Sequence, residues 1–169
     1  MAKKNKQPKV RHAKPGDRNL FKKLWMEYLI SSHESGDSEV IPNENNLEKF
    51  CIMFDLYTSK DVEGIVLFVG DYAVLMWGSI GVLPFDAKVS QRAMGWGTYI
   101  KPSYQGKGIS KIIRRAGIEE LKKMGFQCIF GEVKHKGNDF EKRCKSAESI
   151  GFKPYATTYI MYLEDEEIK

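Results

Sequence analysis

The 169-residue sequence has few cysteines and no long apolar run, and each absence excludes a class of protein. Its three cysteines, Cys51, Cys128 and Cys144, are odd in number, far apart and without a C-x-x-C pair. This argues against a disulfide framework and a cysteine zinc site, and it favours a reducing cytoplasm. No apolar run approaches the roughly 18 residues that a membrane-spanning helix needs, and residues 1–9 lack the apolar core of a secretory signal. We therefore expect a cytoplasmic protein that needs no metal.

Length and composition are those of an ordinary globular domain. Hydrophobic residues make up 42%, aromatic residues 12% and charged residues 29% of the chain, which excludes a mostly disordered chain, a collagen-like chain and a coiled coil. A chain of this length is large enough to bury a core as one domain. We expect residues 1–9 to form a flexible basic tail and residues 10–169 to form a single domain.

The net charge of +5 is distributed in blocks along the chain. Residues 1–18 sum to +6, residues 19–100 to −5, residues 101–145 to +7 and residues 146–169 to −3. A basic total is a common hint of nucleic-acid binding, but the basic tail lacks aromatic residues for stacking and matches no nucleic-acid motif. The function must therefore explain the pattern of blocks rather than the total.

Apolar spacing predicts alternating strands and helices. Helical spacing from Leu20 to Leu29 and from Leu47 to Tyr57 predicts two early helices, with Asp17 as an N-cap and residues 31–46 as a loop. Gly125 and Gly151 predict the ends of two later helices, which span residues 109–124 and 139–150. The strands are predicted at residues 10–13, 62–69, 73–83, 93–100, 127–133, 152–155 and 158–163. This order predicts a single-domain α/β (α+β) fold with a mixed, mostly antiparallel sheet flanked by helices.

A glycine-rich turn follows the strand at residues 93–100. Gly106 and Gly108 allow positive φ and a close approach of a ligand to the backbone. The helix that follows offers unpaired N–H groups and a positive dipole end, which together suit a phosphate or pyrophosphate. The sequence contains neither a P-loop nor a G-x-G-x-x-G dinucleotide fingerprint, so these two phosphate motifs are excluded.

Residues 102–110, Pro-Ser-Tyr-Gln-Gly-Lys-Gly-Ile-Ser, resemble motif A of the GCN5-related N-acetyltransferases (GNAT), [RQ]-x-x-G-x-[GA]. Gln105 and Gly108 match this motif, and Ser110 stands where Gly or Ala is usual. Residues 132–134, Glu-Val-Lys, and residues 147–152, Ala-Glu-Ser-Ile-Gly-Phe, resemble later segments of the same family. The resemblance covers about residues 10–163 and is most specific over residues 98–115.

The resemblance implies the GNAT fold and acetyl-CoA as the acetyl donor. It also implies that the backbone of Thr98, Tyr99 and Ile100 holds the pantetheine and acetyl groups. It places the pyrophosphate on the backbone of the following segment: Gln105, Gly106, Lys107, Gly108, Ile109 and Ser110. Asn138 matches an Asn that binds pantetheine in the family, although a helix N-cap role explains it equally well.

Acetyl transfer to an amine needs a base for the acceptor and a proton for the leaving thiolate. Glu132, near the end of the strand next to the donor site, is the candidate base; a surface carboxylate or a substrate anchor is the alternative. The family often has Tyr at the position of Ala147, so the usual acid is missing. Other candidate acids or bases are Tyr104, Tyr155, Tyr159, Cys144, His33 and His135, for which packing or solvent exposure is the ordinary explanation.

These residues predict an acetyl-CoA-dependent N-acetyltransferase that modifies a primary amine of a small molecule, peptide or protein. The acidic block suggests a cationic acceptor, although a solvated acidic face explains the same charges. Two alternatives stay open: a non-catalytic acyl-CoA-binding module, supported by Ala147, and a toxin-like acetyltransferase acting on aminoacyl-tRNA, supported by the basic tail. A membrane partner is not expected, nucleic acid is disfavoured, and a homodimer stays open.

Overall fold

The computed structural model describes residues 8–36, 38, 40–79, 92–131 and 140–154. Strand and helix follow each other there much as the apolar spacing predicts. The strands are β1 (Val10–His12), β2 (Gly64–Val69), β3 (Ala73–Ser79), β4 (Arg92–Ile100) and β5 (Cys128–Phe130). The helices are α1 (Arg18–Glu34), α2 (Glu44–Ser59), α3 (Ile109–Lys123) and α4 (Phe140–Glu148).

The five strands form one sheet in the order β1-β2-β3-β4-β5. Adjacent strands from β1 to β4 are antiparallel, whereas β4 and β5 are parallel and are connected through α3. The predicted mixed, mostly antiparallel sheet is therefore confirmed. The two closing strands predicted after residue 151 fall largely outside the described residues; residues 152–154 are described and form no strand.

Helices cover both faces of the sheet because alternate strand residues point to opposite faces. On one face, α1 and α2 pack an aromatic-rich core against Val66, Phe68, Val74, Met76 and Tyr99. On the other, α3 packs a more aliphatic core against Leu67, Leu75, Trp77 and Ala93. The aromatic residues of α1 and α2 serve packing: Trp25, Phe54 and Tyr57 are buried, and Tyr28 and Phe50 pack against the same core.

Local sequence explains where several helices begin and end. The Asn43 side chain accepts a hydrogen bond from the Asn46 N–H at 2.8 Å and caps α2. Gly125 has a φ of 88°, and the Phe126 N–H donates to the Leu121 carbonyl at 3.0 Å. This Schellman arrangement ends α3 at the predicted glycine.

Two local predictions are wrong. Asp17 precedes α1, but its carboxylate does not cap that helix, because it accepts bonds from the Arg11 guanidinium and the Lys14 N–H. The segment 31–46, predicted as a loop, is helical up to Glu34 and again from Glu44. The polar composition of this segment does not predict a helical turn. In the structure the turn contains Ser32, which is buried and whose hydroxyl donates to the Leu29 carbonyl.

A close helix–sheet contact fixes the position of α3. Gly117 faces the sheet, and a Cβ atom at this position would lie 3.0 Å from Trp77 Cε3 and 3.3 Å from Leu75 Cδ2. These distances are shorter than nine in ten real Cβ contacts, so a side chain at residue 117 would require Trp77 or Leu75 to move by a few tenths of an ångström. Gly117 therefore lets α3 pack closely against the sheet.

Candidate active site

The predicted anion site is one continuous segment that runs from β4 through a short 3₁₀ turn (Pro102–Tyr104) into α3. Gly106 has a φ of 73°, and Gly108, the residue before α3, has a φ of 75°. Residues other than glycine rarely adopt this left-handed conformation. The two glycines thus allow the sharp bend of the chain between β4 and α3.

Backbone donors collect at this turn. Within the described part of the chain, the N–H groups of residues 106–111 have no hydrogen-bond acceptor, and the first helical bond runs from Ile112 N–H to the Gly108 carbonyl. A Cβ atom added at Gly106 or at Gly108 would meet no described atom within 4 Å. Unpaired donors, open space and the positive end of the helix dipole fit a phosphate or pyrophosphate group.

The side chains of the turn stabilise the turn itself. Gln105 Nε2 donates to the Ile100 carbonyl at 3.1 Å, and Lys107 Nζ donates to the Ser103 carbonyl at 2.9 Å. Lys107 also lies 5.0 Å from the centre of the Tyr104 ring. Unpaired donors at this turn are therefore supplied by the backbone rather than by these two side chains.

A bulge distorts β4 just before the segment predicted to hold pantetheine. Met76 pairs with Gly97 and Trp77 pairs with Gly95, so Trp96 is the extra residue. Tyr28 of α1 packs over the bulge, because a Cβ atom at Gly97 would lie only 2.7 Å from Tyr28 Cζ. The Tyr28 hydroxyl donates to the Trp96 carbonyl at 3.3 Å, which ties α1 to the bulge.

The two edges of β4 differ beyond the bulge. Residues 92–94 pair with β5, whereas among the described residues no strand pairs with that edge of residues 95–100. The opposite edge continues to pair with β3 as far as Ile100. Backbone groups on the β5 side of Thr98 and Ile100 are therefore placed where an extended ligand can bond to them.

Charged and phenolic groups surround this part of β4. The Tyr99 hydroxyl donates to Glu27 Oε2 at 3.1 Å, and burial together with this bond raises the pKa of Tyr99 to about 12. Burial also raises the pKa of Tyr28, against a smaller opposing effect of the Arg114 charge. Burial lowers the pKa of Arg114, which lies on α3. Near neutral pH, Tyr28 and Tyr99 are therefore protonated.

No family model matches the sequence, and a search of curated proteins finds no match. Solved structures do match. A predicted acetyltransferase from Clostridium acetobutylicum, solved with acetyl-CoA, aligns with a TM-score of 0.70 at 16% identity, covering 92% of this chain and 96% of that one. A GCN5-related N-acetyltransferase from Ralstonia eutropha aligns with a TM-score of 0.65 at 14% identity, covering 92% and 99%. The chain has the GNAT fold.

A third GNAT structure matches over nearly its full length. The aminoglycoside 6′-N-acetyltransferase from Acinetobacter haemolyticus aligns with a TM-score of 0.63 at 12% identity, covering 94% of this chain and 99% of that one. Identities this low support a common fold. They leave the roles of single residues to be argued from the geometry of this chain.

The GNAT fold places most of the predicted donor residues together. Thr98, Tyr99 and Ile100 end β4, residues 105–108 form the turn, and Ile109 and Ser110 begin α3. Among them, Ile109 is 4% exposed and serves the core, so only its backbone can contact a ligand. Five other candidates lie outside the described residues: Glu132, Asn138, His135, Tyr155 and Tyr159.

The remaining acid and base candidates that the structure describes have ordinary surroundings. Tyr104 stacks on Tyr72 with ring centres 3.9 Å apart and an interplanar angle of 1°. His33 is exposed in the last turn of α1, and Cys144 is half-buried on α4. For Tyr104 and His33, the packing and exposure expected from the sequence are what the structure has.

Reasoning from the sequence did not predict that Glu27, Tyr28 and Trp96 come together at the second half of β4. The sequence places Glu27 in an acidic block and Tyr28 on the apolar face of an early helix. Nothing in the sequence signals the bulge, because it depends on how β3 pairs with β4. Only the tertiary contacts bring these residues together.

The rest of the described structure offers few competing sites. An open groove of about 550 Å³ lies between the end of α2, β2 and the end of α3, and none of the turn residues lines it. Within the described ranges, no group of three or more His, Cys, Asp or Glu side chains is arranged to hold a metal ion. No helix in those ranges is both long and apolar enough to cross a membrane.

Proposed function

We propose that this protein is an acetyl-CoA-dependent N-acetyltransferase that transfers an acetyl group to a primary amine. The observation that carries this proposal is the glycine turn before α3, where the N–H groups of residues 106–111 have no acceptor among the described residues and a Cβ atom at Gly106 or Gly108 would meet no described atom within 4 Å. Support also comes from the shared fold, since the Clostridium structure was solved with acetyl-CoA and the Acinetobacter protein is an aminoglycoside N-acetyltransferase.

In this proposal the backbone binds the donor. The backbone of Thr98, Tyr99 and Ile100 bonds to pantetheine and the acetyl group, and the segment from Gln105 to Ser110 binds the pyrophosphate. The Gln105 and Lys107 side chains hold the turn in shape, as their bonds to Ile100 and Ser103 indicate. Acetyl-CoA supplies the activated acetyl thioester, and a backbone N–H of β4 polarises its carbonyl.

Glu132 is proposed as the base that takes a proton from the acceptor amine, and Asn138 as a further pantetheine contact. Replacing Glu132 with Gln keeps the size of the side chain but removes the base, so we expect kcat to fall with little change in acetyl-CoA affinity. Steady-state kinetics across pH would measure this. Undiminished turnover across the pH range would remove Glu132 from the role of base.

The acceptor is proposed to be an amine of a small molecule, peptide or protein. The segment 19–100, which includes α1 and α2, carries a net charge of −5, and this supports an acceptor that is cationic at its amine. Ala147, half-buried near the end of α4, supplies no hydroxyl group for the leaving thiolate. A donor-binding protein without turnover is therefore the second candidate, and an amine-acceptor screen separates the two.

The proposal is tested by replacing Gly108 with Glu. The new carboxylate would stand at the anion-binding turn, and the left-handed φ would strain any side chain. We expect acetyl-CoA affinity to fall by about 100-fold or more, measured by calorimetry, which corresponds to roughly 3 kcal/mol.

Gly36 provides a matched control, because it has a φ of 73° but lies after α1. Gly36→Glu should carry a similar backbone strain and retain acetyl-CoA binding. If Gly108→Glu binds acetyl-CoA as tightly as the unsubstituted protein, the donor site is elsewhere.

A further inference from the structure

Two tyrosines from different helices bond to the same residue, Trp96, which is the extra residue of the β4 bulge. The Tyr28 hydroxyl, on α1, donates to the Trp96 carbonyl at 3.3 Å. The Tyr57 hydroxyl, on α2, accepts a bond from Trp96 Nε1 at 3.0 Å. Trp96 has no partner in the register between β3 and β4, so these two bonds connect the bulge to both helices of this face.

The ring of Tyr57 lies over two glycines that are paired with each other. Gly64 of β2 is the partner of Gly78 of β3, and a Cβ atom at either residue would overlap the Tyr57 ring. The glycines therefore allow α2 to bring this ring against the sheet, where Tyr57 is 5% exposed. The Tyr57 hydroxyl also donates to the Ser79 carbonyl at 3.5 Å, so bonds in two directions fix its position.

Tyr28 packs on the sheet in a similar way. Its ring lies over Gly97, where an added Cβ atom would be 2.7 Å from Tyr28 Cζ. Burial raises the pKa of both Tyr28 and Tyr57, because each hydroxyl loses contact with water. A buried hydroxyl costs free energy unless it is bonded, and the bonds to Trp96 offset that cost. A phenylalanine at either position would supply the packing of the ring but not the bond to Trp96.

The bulge is close to the backbone groups proposed to face the donor. The Lys101 N–H donates to the Tyr72 carbonyl at 2.9 Å, which places the backbone groups of Lys101 on the β3 side of the chain. Because these groups alternate between the two edges of a strand, those of Thr98, three residues earlier, face the opposite edge. Thr98 is the first residue after the bulge that faces this edge. A rotation of Trp96, two residues before it, would therefore change the direction of the Thr98 N–H.

We propose that Tyr28 and Tyr57 are positioning residues for acetyl transfer: by holding Trp96, they fix the direction of the Thr98 N–H that polarises the thioester carbonyl. This inference rests on the proposed acetyltransferase function and adds two residues that act through Trp96. The carbonyl oxygen gains negative charge in the transition state, so the reaction depends on this N–H more than binding of the thioester does. The two hydroxyls therefore affect kcat more than the affinity for acetyl-CoA.

The main experiment removes each hydroxyl in turn. Tyr28→Phe and Tyr57→Phe keep the rings on their glycines but release the carbonyl or the indole of Trp96. We expect each variant to lower kcat by about 10-fold, because small displacements of a group that acts on the reacting atoms are costly. The dissociation constant for acetyl-CoA should stay within about threefold. CoA release with spermidine, an aminoglycoside or a lysine peptide, whichever reacts fastest, gives kcat, and calorimetry gives the affinity.

Two control variants remove a hydroxyl from the same helices without contact to the bulge. Ser32→Ala deletes the buried hydroxyl that donates to the Leu29 carbonyl within α1. Thr58→Val deletes the hydroxyl that donates to the Phe54 carbonyl within α2. Both variants should lose some stability and keep kcat within about twofold. If the controls lose as much kcat as the tyrosine variants, the loss is a general effect of lower stability and the inference is wrong.

Trp96→Phe tests whether Tyr57 acts through Trp96. It retains an aromatic ring but lacks the Nε1 donor, so it should lower kcat like Tyr57→Phe, and the double variant should lose little more. A double variant whose loss is the product of the two single losses would contradict a common action. The bond itself is measured by NMR: of the three tryptophan indole N–H signals, the one missing from Trp96→Phe should shift in Tyr57→Phe and not in Thr58→Val. If Trp96→Phe does not fold, the two tyrosine variants and their controls decide the question.

Two further results would overturn the inference. The first is an unchanged kcat in either Tyr28→Phe or Tyr57→Phe. The second is a loss of acetyl-CoA affinity as large as the loss of kcat, which would make the tyrosines supports of the whole donor site. Failure of the proposed function is a different result: the unsubstituted protein would neither bind acetyl-CoA nor release CoA with any of the three amines.

Discussion

The two halves of β4 are built differently. Residues 92–94 pair with β5 on one side, Ala93 and Met94 also pair with β3 on the other, and Ala93 is fully buried. Beyond the bulge at Trp96, pairing with β3 continues, but the described residues provide no strand partner on the other side. In this half, hydrogen bonds connect β4 to α1: the Tyr28 hydroxyl donates to the Trp96 carbonyl, and the Tyr99 hydroxyl donates to Glu27 Oε2.

The first half of β4 therefore contributes to the stability of the sheet, and the second half is where we propose that the donor binds. The first half uses its backbone groups to join β5 to the sheet, so those groups are committed. Within the described residues, the second half has no strand on that side, and pairing with β3 together with contacts from α1 holds it in place. A ligand that adds to the second half would complete the hydrogen bonding that β5 completes in the first.

Among the substitutions that test the difference between the two halves of β4, Gly97→Ala is expected to have the largest effect on stability. A Cβ atom there would lie within 2.7 to 2.9 Å of the Tyr28 ring atoms, so Gly97→Ala must displace α1 or the strand. We expect the free energy of unfolding to fall by about 2 kcal/mol, as overpacked cores usually show. Chemical denaturation would measure it.

Gly95, in the first half, is the matched control. Its nearest neighbours to an added Cβ are Trp77 Nε1 at 3.1 Å and the Phe130 carbonyl at 3.3 Å, which leaves more room. Gly95→Ala should therefore cost less than about 1 kcal/mol, partly because alanine is less flexible than glycine when unfolded. Equal losses for the two variants would contradict the proposed dependence of the second half on α1. Tyr28→Leu should reduce the cost of Gly97→Ala, which a double-mutant cycle would detect.

Loss of the Tyr99–Glu27 hydrogen bond is expected to have a smaller effect on the free energy of unfolding, and this effect depends on pH. The pKa of Tyr99 is about 12 in the folded protein, against an ordinary value of 10.0. A raised pKa means that the contribution to stability is complete below pH 10 and is lost as the pH rises from 10 towards 12. Tyr99→Phe should therefore flatten the decline in unfolding free energy over this alkaline window.

Denaturation curves at a series of alkaline pH values would show this. Glu27→Gln removes the carboxylate next to the hydroxyl, so it should shift the late tyrosine titration to lower pH. If Tyr99→Phe and the unsubstituted protein lose stability identically above pH 10, the hydroxyl is not held as described.

Much of the fold was predictable because it depends on local pattern. Helical spacing and glycine stops such as Gly125 are readable along the chain, and motif A requires a strand before the turn and a helix after it. The turn from Gln105 to Ser110 was predictable for the same reason. The helical turn around Ser32 was missed because its burial, and not its composition, keeps it helical.

The surroundings of the β4 bulge were not predictable because they depend on contacts between distant segments. The bulge at Trp96 is a property of strand pairing, and the contact of Tyr28 with the bulge depends on how α1 packs on the sheet. Glu132 and Asn138 stay predictions, since they lie outside the described residues.

The contact between Gly117 and Trp77 lies far along α3 from the glycine turn that precedes this helix. Nine residues separate Gly117 from Gly108, or about 14 Å along the helix axis. Because a rigid helix transmits a displacement along its length, any shift of α3 caused by a methyl group at residue 117 would also reach the end that carries the unpaired N–H groups. The position of the turn that we propose to bind the donor therefore depends on packing within the hydrophobic core.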